Sequence, residues 1–257
     1  MKNLLMIILA GVLTCCYGQN IQSQSFWEWS DPVALTDSVS DNHNPYMIRS
    51  YNNQEEVVYM VWEKHIDSLT TDLYFDNILD PDPGELLLHN IFTHISHPIL
   101  LHMPYSVSQD SLFFLFYETN ESGNQDIKYC VYLADGSITE SVDFAVSDGD
   151  ESQLDINGGF WYKSGNKWAV NNLVWINDGK LCYSELQVED NQWSFTPPIV
   201  LDSNSCSNPL VTMQQPIYYL RDDGAGTNHV YRAHKTYQSG WEIMKVYDQG
   251  HCLNLYK

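Results

Sequence analysis

The feature of this sequence that most constrains its fold is an internal repeat with a period of about 50 residues. The segments LTDSVSDNHNPYM (35–47) and LDSNSCSNPLV (201–211) share a leucine, a polar turn, an Asn-Pro pair and two apolar residues. Between them, HPIL (97–100) occupies the same place in the pattern. A repeat of this length is typical of propellers and solenoids, in which one small unit is stacked many times.

The spacing of the prolines sets the length of the repeated unit. Pro45 and Pro98 lie 53 positions apart, and Pro98 and Pro209 lie 111 positions apart, which is close to twice that spacing. A further unit is therefore expected to begin near residue 153. SDGDESQLDI (147–156) lies there and lacks the proline.

Two strand-like segments follow each of these anchors. The first is an apolar run that ends near an aromatic residue, which predicts a buried inner strand: VVYMVWE (57–63), LFFLFYE (112–118), NNLVWIN (171–177) and PIYYLRD (216–222). The second alternates between apolar and polar residues, as a half-covered strand does: DLYFD (72–76), DIKYC (126–130), KLCYSE (180–185) and HVYRA (229–233).

A last segment in each unit is typical of an outer edge strand. WSDPVALTDS (29–38) is repeated as WSFTPPIVLDS (193–203), with weaker versions at 138–147 and 241–248. Its prolines suit an edge, because the missing backbone donor then faces solvent.

Four strands per unit in meander order predict an all-β fold, a β-propeller of four-stranded antiparallel blades. The blades are expected at about 44–96, 97–152, 153–207 and 208–250, within a single domain spanning 19–257. Residues 26–36 are then the outer strand of a closing fifth blade that is incomplete. Either HCLNLYK (251–257) completes a thin fifth blade, or the chain is part of a longer propeller, such as a surface adhesin.

Residues 1–18 have the layout of a secretory signal peptide. Lys2 precedes the apolar run LLMIILAGVL, which is followed by small and polar residues. Removal after Gly18 predicts a secreted protein, extracellular or periplasmic. Lipidation at Cys15 or Cys16, which would anchor the protein to the cell surface, is the alternative. No later stretch reaches the length of a membrane span.

The charge and the cysteines exclude several classes of partner and site. Twelve Lys and Arg against 33 Asp and Glu give a formal charge of −21, which repels nucleic acid and anionic membranes. The spacing of Cys130, Cys182, Cys206 and Cys252 matches no zinc motif. These cysteines are expected either to form disulfides, whose pairing the sequence does not fix, or to be buried reduced thiols.

The Asn-Pro turn, the aromatic-ended strand and the Trp-Ser-x-Pro outer strand together resemble the sialidase-like and related propellers of exported bacterial proteins. That resemblance implies a propeller, and in a sialidase three arginines would hold the substrate carboxylate. This chain has Arg49, Arg221 and Arg232, but it lacks the Arg-Ile-Pro motif and every intact Ser-x-Asp-x-Gly-x-x-Trp box of that family.

Several residues are candidates for chemistry at the centre of the fold. Glu63 and Glu118 close equivalent strands, and Asp178, Asp222 and Asp223 follow the later ones. Two carboxylates are the machinery of most glycosidases, but residues that recur with the repeat indicate strand-end turns. The catalytic residues are therefore unknown from the sequence.

Metal sites are weaker candidates. Four histidines, His89, His94, His97 and His102, lie within 14 residues, but no acidic residue separates them, so no metal site is predicted. No cofactor is predicted either. Calcium is left open, because the turns at 80–84, 147–151 and 221–224 carry oxygen ligands, although none forms a full calcium loop.

The function predicted from these features is that of a binding module for a glycan or an extracellular protein. Trp161, Tyr162, Trp168 and Tyr237 are expected to form an aromatic ligand-binding patch. The alternative is a propeller-type glycoside hydrolase, which predicts two or three carboxylates converging at a central funnel.

Overall fold

The fold consists of antiparallel β-sheets that follow one another along the chain. A computed structural model describes residues 41–52, 55–67, 70–78, 85–88, 95–102, 111–133, 135–164, 167–190, 192–212, 216–236 and 240–247. All the secondary-structure elements formed by these residues are β-strands, so the all-β prediction is confirmed. The segments expected to be the signal peptide (1–18), the closing outer strand (26–36) and the carboxyl-terminal strand (251–257) lie outside the described residues.

The strands form four sheets, I to IV. Sheet I contains β1 (Asp41–Asn52), β2 (Glu55–His65), β3 (Thr71–Asn77) and β4 (Glu85–Leu88). Sheet II contains β5 (Ile95–His102), β6 (Ser111–Thr119), β7 (Asp126–Leu133) and β8 (Val142–Ala145). Sheet III contains β9 (Glu151–Ser164), β10 (Lys167–Asn177), β11 (Lys180–Glu189), β12 (Gln192–Phe195) and β13 (Ile199–Asp202). Sheet IV contains β14 (Cys206–Val211), β15 (Ile217–Asp222), β16 (Asn228–Thr236) and β17 (Gly240–Tyr247).

Each sheet is an antiparallel meander in chain order. The outer position of sheet III is shared by two short strands, because β12 pairs with one half of β11 and β13 with the other. Pro197 and Pro198 separate them at the edge of the sheet, where the missing backbone donors break no ladder. The outer strand of sheet I, β4, lacks the Trp-Ser pair and the prolines of the β12–β13 region, and it matches none of the outer-strand segments predicted from the repeat.

Consecutive sheets pack against each other through apolar side chains. One cluster joins sheets I and II around Leu73 and Leu115. A second joins sheets II and III around Phe116 and Trp175, and a third joins sheets III and IV around Ile176 and Tyr219. The first strands also meet in sequence, since β1 contacts β5, β5 contacts β9 and β9 contacts β14.

The cysteines of the described strands are reduced. Cys130, Cys182 and Cys206 are buried and free, which agrees with buried thiols on strands, and Cys252 lies outside the described residues. Burial raises the pKa of Cys130 to about 12 and that of Cys182 and Cys206 to about 11. No helix in the described part of the chain has the length and apolar character needed to cross a membrane.

Candidate functional site

A bulge in the first strand of every sheet shapes one end of the fold. The register shifts at the same place in β1, β5, β9 and β14, so that two residues face one residue of the next strand. The first residue of each pair has a positive φ: Asn44 (44°), His97 (50°), Gln153 (57°) and Asn208 (49°). Asn and His are among the residues that tolerate this left-handed region best.

The residue opposite each bulge is a buried aromatic ring. These rings are Trp62, Tyr117, Trp175 and Tyr219, each 5% exposed or less. The two signals of the sequence repeat, the Asn-Pro pair and the aromatic end of the following strand, are therefore the two sides of one bulge. Gln153-Leu154 takes this place in sheet III, where the proline is absent.

The bulge turns a backbone N–H away from its own sheet and toward the preceding one. The N–H of His97 donates to Glu63 Oε1 at 2.6 Å, and the N–H of Gln153 donates to Glu118 Oε1 at 2.6 Å. The N–H of Asn208 donates to Gln153 Oε1 at 2.6 Å. Each seam between consecutive sheets thus carries one such bond, which we call the seam bond.

The two glutamates of the seam bonds do not recur in the later sheets. The strand register aligns Glu63 and Glu118 with Ile176 in sheet III and Leu220 in sheet IV. The sequence suggests that these acids recur at the ends of equivalent strands and are continued by Asp178, Asp222 and Asp223. That interpretation is wrong, because the later aspartates do not lie at the equivalent positions. Carboxylates at this position belong to sheets I and II.

A polar cleft of about 510 Å³ lies at this end of sheets I and II and extends to the start of sheet III. Every residue that lines it is polar or charged: Asn44, Glu63, His65, Ser96, His97, Glu118, Gln125, Asp150 and Ser152. Glu63 and Glu118 are only 2% and 4% exposed, so they form the floor of the cleft. The side chain of His97 is 60% exposed and lies at its mouth.

Hydrogen bonds hold both floor carboxylates in place. Glu63 Oε1 also accepts from Asn44 Nδ2 at 2.7 Å. Glu118 Oε2 contacts His97 Nδ1 at 3.1 Å and accepts from Gln125 Nε2 at 3.1 Å. His97 therefore bonds to both acids, through its backbone and through its ring, which holds them within about 10 Å of each other.

The electrostatics of the cleft follow from these contacts. The hydrogen bond to Glu118 raises the pKa of His97, and the nearby charges of Glu118 and Glu63 act in the same direction. Asp150 adds a third carboxylate, and its Oδ1 accepts from the backbone N–H of Gln125 at 3.0 Å. A cleft with three carboxylates and a histidine of raised pKa suits a neutral or cationic ligand with many donors, and disfavours an anion.

Three of the four aromatic residues predicted to bind ligand lie on the described backbone of the β9–β10 hairpin. Trp161 and Tyr162 lie at the end of β9 and Trp168 at the start of β10, and Ala169 pairs with Tyr162. This end of the β9–β10 hairpin is opposite to the cleft, because Ser152 and Gln153 lie at the other end of β9. The side chains of these three residues are not described, and Tyr237 lies outside the described residues.

The three arginines are not brought together at the cleft. Arg49 is exposed on β1, where it pairs with Val58. Arg221 contacts Asp202 at 3.2 Å and lies over the ring of Tyr231, and Arg232 donates to Met244 Sδ. None of them lines the cleft as the described residues form it.

In the acidic turn at 221–224, the aspartates accept hydrogen bonds from backbone N–H groups. Asp222 Oδ1 accepts from Gly224 and Gly226, and Asp223 Oδ1 accepts from Ala225. In the turn at 147–151, Ser147 donates to Glu151. The turn at 80–84 lies outside the described residues, as do His89 and His94 of the histidine cluster.

Sequence reasoning missed most of the cleft. Asn44, Ser96 and Gln125 carry no chemical motif, and they meet only in the fold: Asn44 and Ser96 lie at the bulges of β1 and β5, and Gln125 lies in the turn before β7. The Asn-Pro repeat was the available signal, since it marks the bulge that donates each seam bond. No protein-family model matches the sequence, and no curated protein matches it significantly.

Proposed function

We propose that this protein is an exported β-propeller that binds a neutral or cationic glycan in the cleft between sheets I and II. The observation that carries the proposal is the cleft itself, which is lined by polar and charged residues and has two fixed carboxylates as its floor. Carboxylate, amide and imidazole groups in fixed positions are suited to the hydroxyl groups of a sugar, and preorganisation lowers the cost of binding.

The propeller arrangement is supported by the order of the sheets. Four meanders follow one another, apolar clusters join each sheet to the next, and the first strands meet in sequence. In a propeller, the first strand of each blade lies on the central axis and the last strand lies at the rim. The cleft then lies at one mouth of the central axis, the usual place for a ligand in such folds.

Binding is favoured over catalysis by the bonds of the floor carboxylates. Glu63 Oε1 accepts two hydrogen bonds, and the oxygens of Glu118 take part in three. Two of these bonds join neighbouring sheets and the other three lie within sheet I or sheet II, so these oxygens already have partners in the fold. A catalytic acid or nucleophile needs an oxygen that reaches the substrate.

A glycoside hydrolase is the second candidate function, because one observation favours it. Glu63 and Glu118 lie on the floor of the same cleft and both bond to His97. Paired carboxylates on either side of the scissile bond are what most glycosidases require.

The test is a glycan array with the full chain, together with a screen of fluorogenic glycosides. Asp150→Asn removes an exposed charge of the cleft, and Ser152→Trp fills part of the cleft while both floor glutamates stay in place. We expect retention of neutral or amino glycans, a loss of about tenfold or more in affinity for Asp150→Asn, and no retention by Ser152→Trp. Glu140→Gln, an exposed glutamate outside the cleft, is the matched control and should bind as the unaltered chain does.

Two results would overturn the binding proposal. One is retention of no glycan, or retention that Ser152→Trp leaves unchanged. The other is release of the fluorescent aglycone that falls by about a hundredfold or more in Glu118→Gln, which would establish the hydrolase instead.

A further inference from the structure

At the rim of the cleft, two histidines and an aspartate converge from paired strands. Asp41 pairs with His65, and His43 pairs with Glu63, at the start of β1 and the end of β2. Residues two apart on a strand share a face, and directly opposite residues on antiparallel strands are neighbours. The register therefore places these four side chains on one face of sheet I.

The atoms that could bind a metal ion lie close together. One ligand atom from each of Asp41, His43 and His65 lies within 4.8 Å of the other two. His43 Nε2 is 2.6 Å from Asp41 Oδ1, and His65 Nδ1 is 4.0 Å from Asp41 Oδ2. The two imidazole rings are 4.6 Å apart.

We propose that Asp41, His43 and His65 form a zinc site at the rim of the cleft. Two imidazole nitrogens and one carboxylate oxygen are a ligand set that zinc takes, whereas calcium takes oxygen ligands alone. Tetrahedral zinc with bonds of about 2 Å separates its ligand atoms by about 3.3 Å, so three atoms within 4.8 Å of one another need only small shifts to bind it. Three protein ligands leave one position of the ion open to water or to a bound molecule.

Glu63 supplies the support that a metal-binding histidine needs on its other nitrogen. Its Oε2 lies 3.4 Å from His65 Nε2, on the side of the ring away from Asp41. Glu63 is buried and fixed by the seam bond from His97. A carboxylate behind a ligating imidazole holds the ring in position and fixes the nitrogen that faces the metal ion.

The stability gained from the ion pair between His43 and Asp41 does not by itself explain why these side chains lie together. His43 is 46% and Asp41 67% exposed at the side chain, and exposed pairs contribute little to stability. Zinc would hold the start of β1 to the end of β2 beside the residues of the cleft. The site depends only on sheet I, so it stands whether or not the cleft binds a glycan.

The experiment measures zinc binding directly. The full chain is prepared without a polyhistidine tag, its accessible cysteines are alkylated, and zinc is titrated at pH 7.5 against a chromogenic chelator. We expect one zinc ion per chain with micromolar or tighter affinity, and an intense visible spectrum when cobalt replaces zinc. His43→Gln and His65→Gln should each weaken binding by at least about tenfold, and Glu63→Gln should weaken it by about tenfold without changing the stoichiometry.

His234→Gln is the matched control, because His234 is a partly exposed histidine on β16 in another sheet. It should bind zinc as the unaltered chain does. The proposal is overturned if no stoichiometric binding is found, if His43→Gln and His65→Gln bind as the unaltered chain does, or if His234→Gln loses as much affinity as they do. Urea unfolding of each variant separates loss of the site from loss of the fold, and no glycan is needed for any of these measurements.

Discussion

At the scale of single residues, His97 combines three roles that the sequence does not reveal. Its backbone adopts a positive φ, its N–H makes the seam bond to Glu63, and its ring contacts Glu118. His97 has the positive φ of Asn44 and Asn208, but unlike these two residues it has a side chain that can carry a charge. The ring is the only one of these features that depends on pH.

The raised pKa of His97 predicts a pH-dependent part of the stability. A histidine whose pKa is higher in the folded than in the unfolded state stabilises the fold fully below the unfolded value of 6.5, and the contribution is lost as the pH rises through the folded value. His97→Asn keeps the positive φ and the seam bond but removes the charge. The unaltered chain should therefore exceed His97→Asn in stability at pH 5.5, by less than about 1 kcal/mol because the ring is largely exposed, and the difference should vanish at high pH.

Urea unfolding between pH 5.5 and 8.5 measures this difference. His234→Asn serves as the control and should show no comparable trend. A difference that stays constant over the range, or grows as the pH rises, contradicts the role given to the His97 ring.

At the scale of elements, the tight turn between β10 and β11 fixes the register of sheet III. Asp178 and Gly179 both have positive φ, 47° and 73°, as the two central residues of a two-residue hairpin turn require. The turn also carries a neighbouring segment, since Asp178 Oδ1 accepts from the N–H of Asp150 at 3.1 Å. Asp150 lines the cleft, so this hairpin positions part of the site.

Gly179→Ala should lower the free energy of unfolding by about 1–2 kcal/mol, because alanine is strained in the left-handed region. Gly179→Asn should cost less, since asparagine tolerates that region. Urea unfolding monitored by far-UV circular dichroism measures both. Equal losses for the two variants would show that backbone strain is not the cause.

The sequence predicts the elements better than it predicts the site. Runs such as LFFLFYE and NNLVWIN are apolar because both faces of the second strands are covered, so the sequence predicts that these strands are buried. β4 is not predicted, because it is short and its sequence, ELLL, resembles none of the outer-strand segments of the repeat. The cleft could not be predicted, because it depends on how a bulge in one sheet meets a glutamate of the sheet before it.

At the scale of the whole molecule, the four sheets are joined in series by three apolar clusters. The middle cluster is rich in aromatic rings, and Phe116 lies within it with no exposed surface. Its ring contacts those of Tyr129, Phe144 and Phe195. Sheets that share cores in this way are expected to unfold together.

Phe116→Ala should lower the free energy of unfolding by about 3–5 kcal/mol, because it removes a buried ring and leaves a cavity. A single transition should persist, with tryptophan fluorescence and circular dichroism coinciding. Val142→Ala, at an apolar side chain that is 47% exposed on β8, should change stability by less than about 0.5 kcal/mol. Two separate transitions in Phe116→Ala would show that the sheets are independent units.

The buried thiols of Cys130, Cys182 and Cys206 make the described strands indifferent to the redox conditions around them. A thiol whose pKa is raised to about 11 or 12 is almost never a thiolate at neutral pH, and the thiolate is the form that oxidises or exchanges. Once folded, these three cysteines therefore stay reduced in a reducing and in an oxidising medium alike.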